Sequence, residues 1–235
     1  MTRSRRPVRS CLAAVLVSAA LAAGCAPGGA ARTGSPQPSG LAPGTYTSNV
    51  FQPAVTFTVP SGWELVGDSL SAAGAVPVYV ELRPAGSEVV GIHFFRDPAA
   101  ASQDPACPET AEPAVGGTSS ELATWIRDRP GLLVSEPKLA AVGGLRGVEL
   151  DLGIQAGWTA SCPFANGIPT AALFVGAGGQ YRWVVAGNER LRLYLLDLPG
   201  GGTLVVDIDA FDGTLIDGLL SAAGPIVQSL AFAGS

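Results

Sequence analysis

The chain has 235 residues, 47% of them hydrophobic, with 19 acidic against 14 basic side chains, one histidine and four cysteines. That acidic balance argues against nucleic acid or an anionic membrane surface as a partner, since both demand clustered lysine and arginine, and Lys138 is the only lysine. There is no internal repeat and no heptad pattern, which excludes solenoids and coiled coils.

In chain order, Arg3, Arg5, Arg6 and Arg9 precede an apolar run from Cys11 to about Leu21. The run is shorter than the roughly 20 residues needed to cross a bilayer, so it reads as an export signal rather than a span. Its end, Leu21-Ala22-Ala23-Gly24-Cys25, resembles the bacterial lipobox. The resemblance implies cleavage before Cys25, a diacylglycerol thioether on its thiol and acylation, for instance by palmitate, of the new amino group; two or more chains make such an anchor stable. An ordinary secretory signal cut after an Ala-x-Ala site, leaving Cys25 unmodified, is the alternative. Ser4-Arg5-Arg6, followed by Pro7 and Arg9, fits the twin-arginine pattern badly, so the export route stays open between the general secretory and twin-arginine paths.

These readings divide the chain into a signal peptide over 1–24, a Gly/Pro/Ala/Ser tether over 25–40 and one globular domain over 41–235. The tether, "APGGAARTGSPQPSG" after Cys25, has no large apolar side chain with which to order itself. Loss of the signal's four arginines leaves ten basic residues against 19 acidic, a net charge of −9. With Cys11 removed and Cys25 lipidated, Cys107 in "DPACPET" and Cys162 in "TASCPFA" form one pair, which an oxidising compartment favours as a disulfide.

Within the domain, "AVTFTVPSGWELVGD" alternates at Val55, Phe57 and Val59, turns at Pro60-Ser61-Gly62 and predicts a hairpin continuing through Trp63 and Leu65. "VPVYVELRP" and "VVGIHFFRD" predict a second hairpin around "AGSE". Thr118 to Arg129 opens with Thr118 and Glu121 in capping-box spacing, places Leu122, Trp125 and Ile126 on one face, and stops at Pro130-Gly131. Strands follow over Leu132–Ser135, Leu145–Ile154, Ala171–Val175 and Tyr181–Ala186.

"ERLRLYLLDLPGGGTLVVDIDAFDG" predicts a long hairpin. An even turn centred on Gly200-Gly201 sets Leu191 opposite Ala210, Leu193 opposite Ile208 and Leu195 opposite Val206, with Arg192 opposite Asp209 and Tyr194 opposite Asp207 on a polar outer face. Leu215, Ile216, Leu219, Leu220 and Ala223 then form a helical stripe behind Asp212 as N-cap; Pro225 is expected to kink or restart that helix, and Leu230 to Phe232 to add a short strand. Hairpins with two amphipathic helices laid on them define an α+β fold with an antiparallel sheet. "FTVPSGWEL" and the closing "IVQSLAF" resemble the edges of the Mog1/PsbP-like fold, to which LpqN-type lipoproteins belong. That resemblance implies a cell-envelope lipoprotein of actinobacterial origin, consistent with an arginine-rich, lysine-poor composition.

The search for chemistry ends in a binding reading. His93 in "GIHFF" has no second histidine or free thiol with which to complete a metal set, and reads as a structural imidazole. There is no G-x-S-x-G elbow. The glycine pairs beginning at 143, 178 and 200 read as turns between strands. Asp207-x-Asp209-x-x-Asp212 looks like a calcium loop, but its fifth position is Phe211, and each acid has a separate local use. Trp125 reads as core. Trp158, Trp183 and Tyr194, with Asp207 and Asp209, are the candidate ligand surface, of a kind that suits sugars or amphiphiles. The expected function is therefore a noncatalytic binding module, lipid-anchored on the outer face of the cytoplasmic membrane, with no cofactor or metal. Its expected partners are the membrane through the anchor and another envelope protein, a glycan or a lipid. Two rivals stay open: an envelope hydrolase using Asp207 and Asp209, about 7 Å apart on one strand face, and a carrier with a lipid-sized cavity.

Overall fold

A computed structural model describes residues 41–48, 52–69, 79–176 and 182–234. The signal peptide, Cys25 and the tether lie outside these residues, as does the glycine pair at 178. In chain order the elements are β1 (Gly44–Ser48), β2 (Val55–Val59), β3 (Trp63–Ser69), β4 (Tyr79–Pro84), β5 (Val90–Arg96), β6 (Ala99–Ala100) and α1 (Ser119–Asp128). There follow β7 (Leu132–Val134), β8 (Lys138–Val142), β9 (Leu145–Ile154), β10 (Thr170–Val175), β11 (Arg182–Ala186), β12 (Arg190–Asp197), β13 (Thr203–Ala210), α2 (Ile216–Gln228) and β14 (Ala231–Phe232).

The protein is an α+β domain built on an antiparallel eight-stranded sheet in the order β3-β4-β5-β13-β12-β9-β7, with β8 also pairing β9. Two small sheets, β1-β2-β14 and β11-β10-β6, accompany it. The central sheet is apolar on both faces. On one, Leu204, Val206, Ile208 and Ala210 of β13 join Phe57 of β2, Phe232 of β14 and Leu219, Ala223 and Ile226 of α2. On the other, Leu191, Leu193 and Leu195 of β12 join Leu122, Trp125 and Ile126 of α1 and Leu173, Phe174 and Val185 of β10 and β11. Strand β13 is therefore buried at all of its residues.

Helix α1 forms as its sequence predicts: the Glu121 amide donates to Thr118 Oγ1 at 3.3 Å and the Thr118 amide to Glu121 Oε2 at 3.2 Å, closing the capping box. Four expectations change. The predicted β2–β3 hairpin does not exist, because β2 pairs β1 and β14 whereas β3 pairs β4; Pro60–Gly62 is a corner between two sheets. The edges of β2 are taken by strands with weak sequence signals, and β1 is marked chiefly by threonine pairs, Thr45 with Thr58 at 3.0 Å and Thr47 with Thr56 at 2.9 Å. Asp212 caps a 3-10 turn over Gly213–Leu215, one turn ahead of α2, and α2 runs through Pro225 to Gln228.

The fourth change is the register of the β12–β13 hairpin. Its pairs are Leu191 with Asp209, Arg192 with Ile208, Leu193 with Asp207, Tyr194 with Val206 and Leu195 with Val205, one residue off the expected set. The loop is odd, closed by the Leu198 amide on the Gly202 carbonyl at 3.1 Å. Gly201 and Gly202 both adopt positive φ, near 88° and 89°, which a run of three glycines permits. An odd loop changes which partners share a face. Asp207 and Asp209 accordingly point into the core with the leucines of β12, and the expected polar outer face does not form.

Candidate functional site

The buried acids of β13 assemble a cluster with residues of β5, β11 and the β11–β12 corner. Asp207 is 0% exposed, Asp209 2% and Glu189 1%. In the β5–β13 ladder His93 lies opposite Asp207 and Gly91 opposite Asp209. The imidazole leans over Gly91, where a β-carbon would come within 2.9 Å of Nε2; that bare position lets Nε2 reach Asp209 Oδ1 at 2.8 Å. Trp183 of β11 lies over the cluster, its ring 4.7 Å from His93 and 4.9 Å from Phe95. Glu189 sits at the corner joining β11 to β12, where Gly187 takes a φ of 56° and Glu189 Oε2 accepts the Ala186 amide at 2.7 Å.

Such crowding in a low-dielectric interior favours the protonated carboxyls. Burial first, and the Asp209 charge second, push Glu189 up to about 8, and its carboxyl hydrogen-bonds to Asp209. Asp207 is likewise pushed well above the usual carboxylate range, by burial and then by Asp209 and Glu189; the Trp183 indole acts the other way. Neither Asp207 oxygen, nor Asp209 Oδ1 despite its 2.8 Å approach to His93 Nε2, nor Trp183 Nε1, nor His93 Nδ1 reaches full hydrogen-bonding geometry. A cavity of about 70 Å³ is lined by His93, Trp183, Asp209 and Phe211 together with Glu81, Arg83 and Glu88, and Asp207 does not line it. The group can share protons, but it offers a substrate almost no access. Among the described residues, no set of three or more His, Cys, Asp or Glu is placed to hold a metal ion. Asp212 belongs elsewhere, accepting the Thr214 amide at 3.0 Å.

The candidate aromatics do not come together. Trp158 and Trp183 border the core on the α1 side of the central sheet, whereas Tyr194 borders the core on the α2 side. Trp158 donates to the Thr170 carbonyl at 2.9 Å and stands against Gly131, where any β-carbon would strike its ring. The partner expected for Arg192 is replaced too: its guanidinium pairs with Asp151 on β9, Nε to Oδ1 at 2.6 Å and Nη2 to Oδ2 at 2.9 Å, with Glu149 at 3.5 Å. Cys107 and Cys162 are joined in a disulfide with a Cα separation of 5.6 Å.

An open concavity lies where β7, β9 and β12 meet the start of α2, a groove of about 370 Å³. Leu133, Ile216 and Leu220 supply apolar surface, Leu133 being 59% exposed, and Asp151, Arg192 and Asp217 also line it. Arg190 lies across Gly153 and against Gly213, where a β-carbon at either position would collide with its side chain. Its Nη1 donates to the Glu189 carbonyl at 3.0 Å, and among the described residues it has no carboxylate in ion-pairing range. Glu189, Arg190 and the glycines 91 and 153 escaped the sequence reading; "GNER" carries a turn signal and nothing more.

The fold and site thus define an α+β domain with a sealed carboxyl cluster on one side of its sheet and an open groove carrying an arginine near the other. No family model and no curated protein matches the chain. Among solved structures it is similar to LpqN of Mycobacterium tuberculosis, described as involved in cell envelope biogenesis, at 16% identity and a TM-score of 0.34, covering 75% of this chain and 82% of that one. It is similar also to the PsbP protein (CyanoP) of the cyanobacterium Synechocystis sp. PCC 6803, at 12% identity and a TM-score of 0.40, covering 85% and 98%. At these scores the fold class rests on the strands and helices described above.

Proposed function

We propose that this protein is a noncatalytic binding module of the bacterial cell envelope, held on the outer face of the cytoplasmic membrane by a lipidated Cys25, whose groove takes a molecule with an apolar body and an anionic group. The observation that carries the reading is the contrast between the two concave regions. The acids that a hydrolase would use are packed under Trp183, and Asp207 has no exposed surface, whereas the groove is open and sets Arg190, which no carboxylate of the described residues ion-pairs, beside exposed Leu133, with Asp151 on its wall engaged by Arg192 and Asp217 as its one carboxylate outside an ion pair. A cation beside apolar walls is complementary to an anionic amphiphile. Among the described residues no helix is long and apolar enough to cross a membrane; in this reading the anchor is the lipidated Cys25.

Two measurements test this reading. Cells fed a clickable palmitate should yield a labelled protein, with the label absent in Cys25→Ser; an unlabelled wild-type chain removes the anchor. Monomeric dodecyl phosphate, held below its micelle concentration, should bind saturably to the full chain. Arg190→Glu should weaken it about tenfold, equivalent to about 1.4 kcal/mol. Undiminished binding by Arg190→Glu would remove the groove from the reading.

A further inference from the structure

A second cation is buried without a counter-ion, far along the chain from the groove arginines. Arg129 closes α1 as its C-cap residue and is 8% exposed. Its guanidinium stands 5.4 Å from the Trp125 ring, Nε donates to the Ala172 carbonyl at 3.1 Å and Nη2 to the Ser102 carbonyl at 3.2 Å. Nη1 makes no hydrogen bond, and no carboxylate lies in ion-pairing range among the described residues; Glu112 acts on it only at longer range. A buried guanidinium cannot discard its proton and is ordinarily matched by an anion.

Arg129 lines a cavity of about 100 Å³ next to the disulfide, together with Gln103, Ser161, Trp158 and both cysteines. A water needs only about 10–15 Å³ by the same measure, so the space admits an anion of several heavy atoms. Asp104, the one carboxylate on its wall, is turned into its own loop, its Oδ1 accepting the Ala106 amide at 2.8 Å. The Cys107–Cys162 bridge, both of whose cysteines line the cavity, ties two of its loops together.

We infer that this cavity is a binding site for one small oxyanion, free or as the end group of a larger molecule, with the guanidinium of Arg129 as its counter-charge and Ser161 and Gln103 as its polar wall. The site is separate from the groove, and its test stands apart from the proposed function.

The test is thermal unfolding of the full chain in chloride, phosphate, sulfate and methyl phosphate at constant ionic strength. The anions are kept at millimolar concentration, below the range where excluded salts stabilise any protein. Phosphate or sulfate should raise Tm saturably by a few degrees, and Arg129→Gln should abolish the rise. Ser161→Asp, which places a carboxylate in the cavity, should raise Tm without added anion and remove the response, and it decides the matter should Arg129→Gln fail to fold. A response to methyl phosphate equal to that of phosphate identifies an end-group site, and a response to inorganic ions alone identifies a free-ion site. Identical Tm in all the anions, or a phosphate response undiminished in either variant, overturns the proposal.

Discussion

The two faces of the central sheet use the same strand in opposite ways. Toward α2, β13 presents Leu204, Val206, Ile208 and Ala210, an apolar row whose contribution does not depend on pH. Toward α1 it presents Val205 and then Asp207 and Asp209, which meet His93, Glu189 and Trp183. The first face is stabilised by area removed from water. The second gives up part of that gain to bury groups that stay comfortable only while protonated or paired. One strand therefore carries a permanent contact on one side and a conditional one on the other.

The largest effect should come from breaking the permanent side. Ile208→Ala opens a cavity between β13 and α2, and urea unfolding should register a loss of about 2–5 kcal/mol, equal at pH 5 and pH 8. A loss that varies strongly between those two pH values would mean that the faces are not independent.

The conditional side should appear as a slope. Glu189 and Asp207 both titrate higher in the folded protein than in the unfolded chain, so the folded state holds protons that the unfolded state has already released. The Glu189 contribution is complete below the ordinary Glu value of 4.5 and disappears as the pH rises through about 8; the Asp207 contribution has the same sign, its carboxyl being raised well above the usual carboxylate range. Each group can contribute at most about 1.4 kcal/mol per pH unit within that window. Urea midpoints should accordingly fall from pH 5 to pH 8. Glu189→Gln, which keeps an oxygen for the Ala186 amide, should flatten the slope and surpass the wild type at the alkaline end. Stability that rises across this window would contradict the buried protons.

The smallest effect belongs to the cover of the acid face. Thr118→Ala removes the hydroxyl half of the α1 capping box and should cost about 1 kcal/mol in the same unfolding assay, with the pH slope intact. A changed slope would show that α1 itself tunes the cluster.

Local features were legible without coordinates. Thr118 and Glu121 close the box that their spacing announces, β9 occupies Leu145–Ile154 as predicted, and Cys107 meets Cys162. Each depends on a few neighbouring residues or on a short inventory of thiols. The hairpin formed by β12 and β13 was legible as a hairpin but not in its register. Three successive glycines accept an odd or an even loop equally well, and the pairing of Arg192 with Asp209 was as plausible in sequence as its actual pairing with Asp151 on β9.

What the amino-acid sequence determined by itself was an α+β chain of hairpins with one well-capped helix and one disulfide, because periodicity, caps and cysteine number act over short distances or by elimination. The tertiary structure alone decided that β13 is covered on both faces, that its two aspartates meet His93 and Glu189 in the interior, and that among the described residues Arg129 and Arg190 have no carboxylate in ion-pairing range. Burial and pairing of charge depend on which distant strands come to lie alongside, and a side chain carries no mark of its neighbours until the sheet has closed around it.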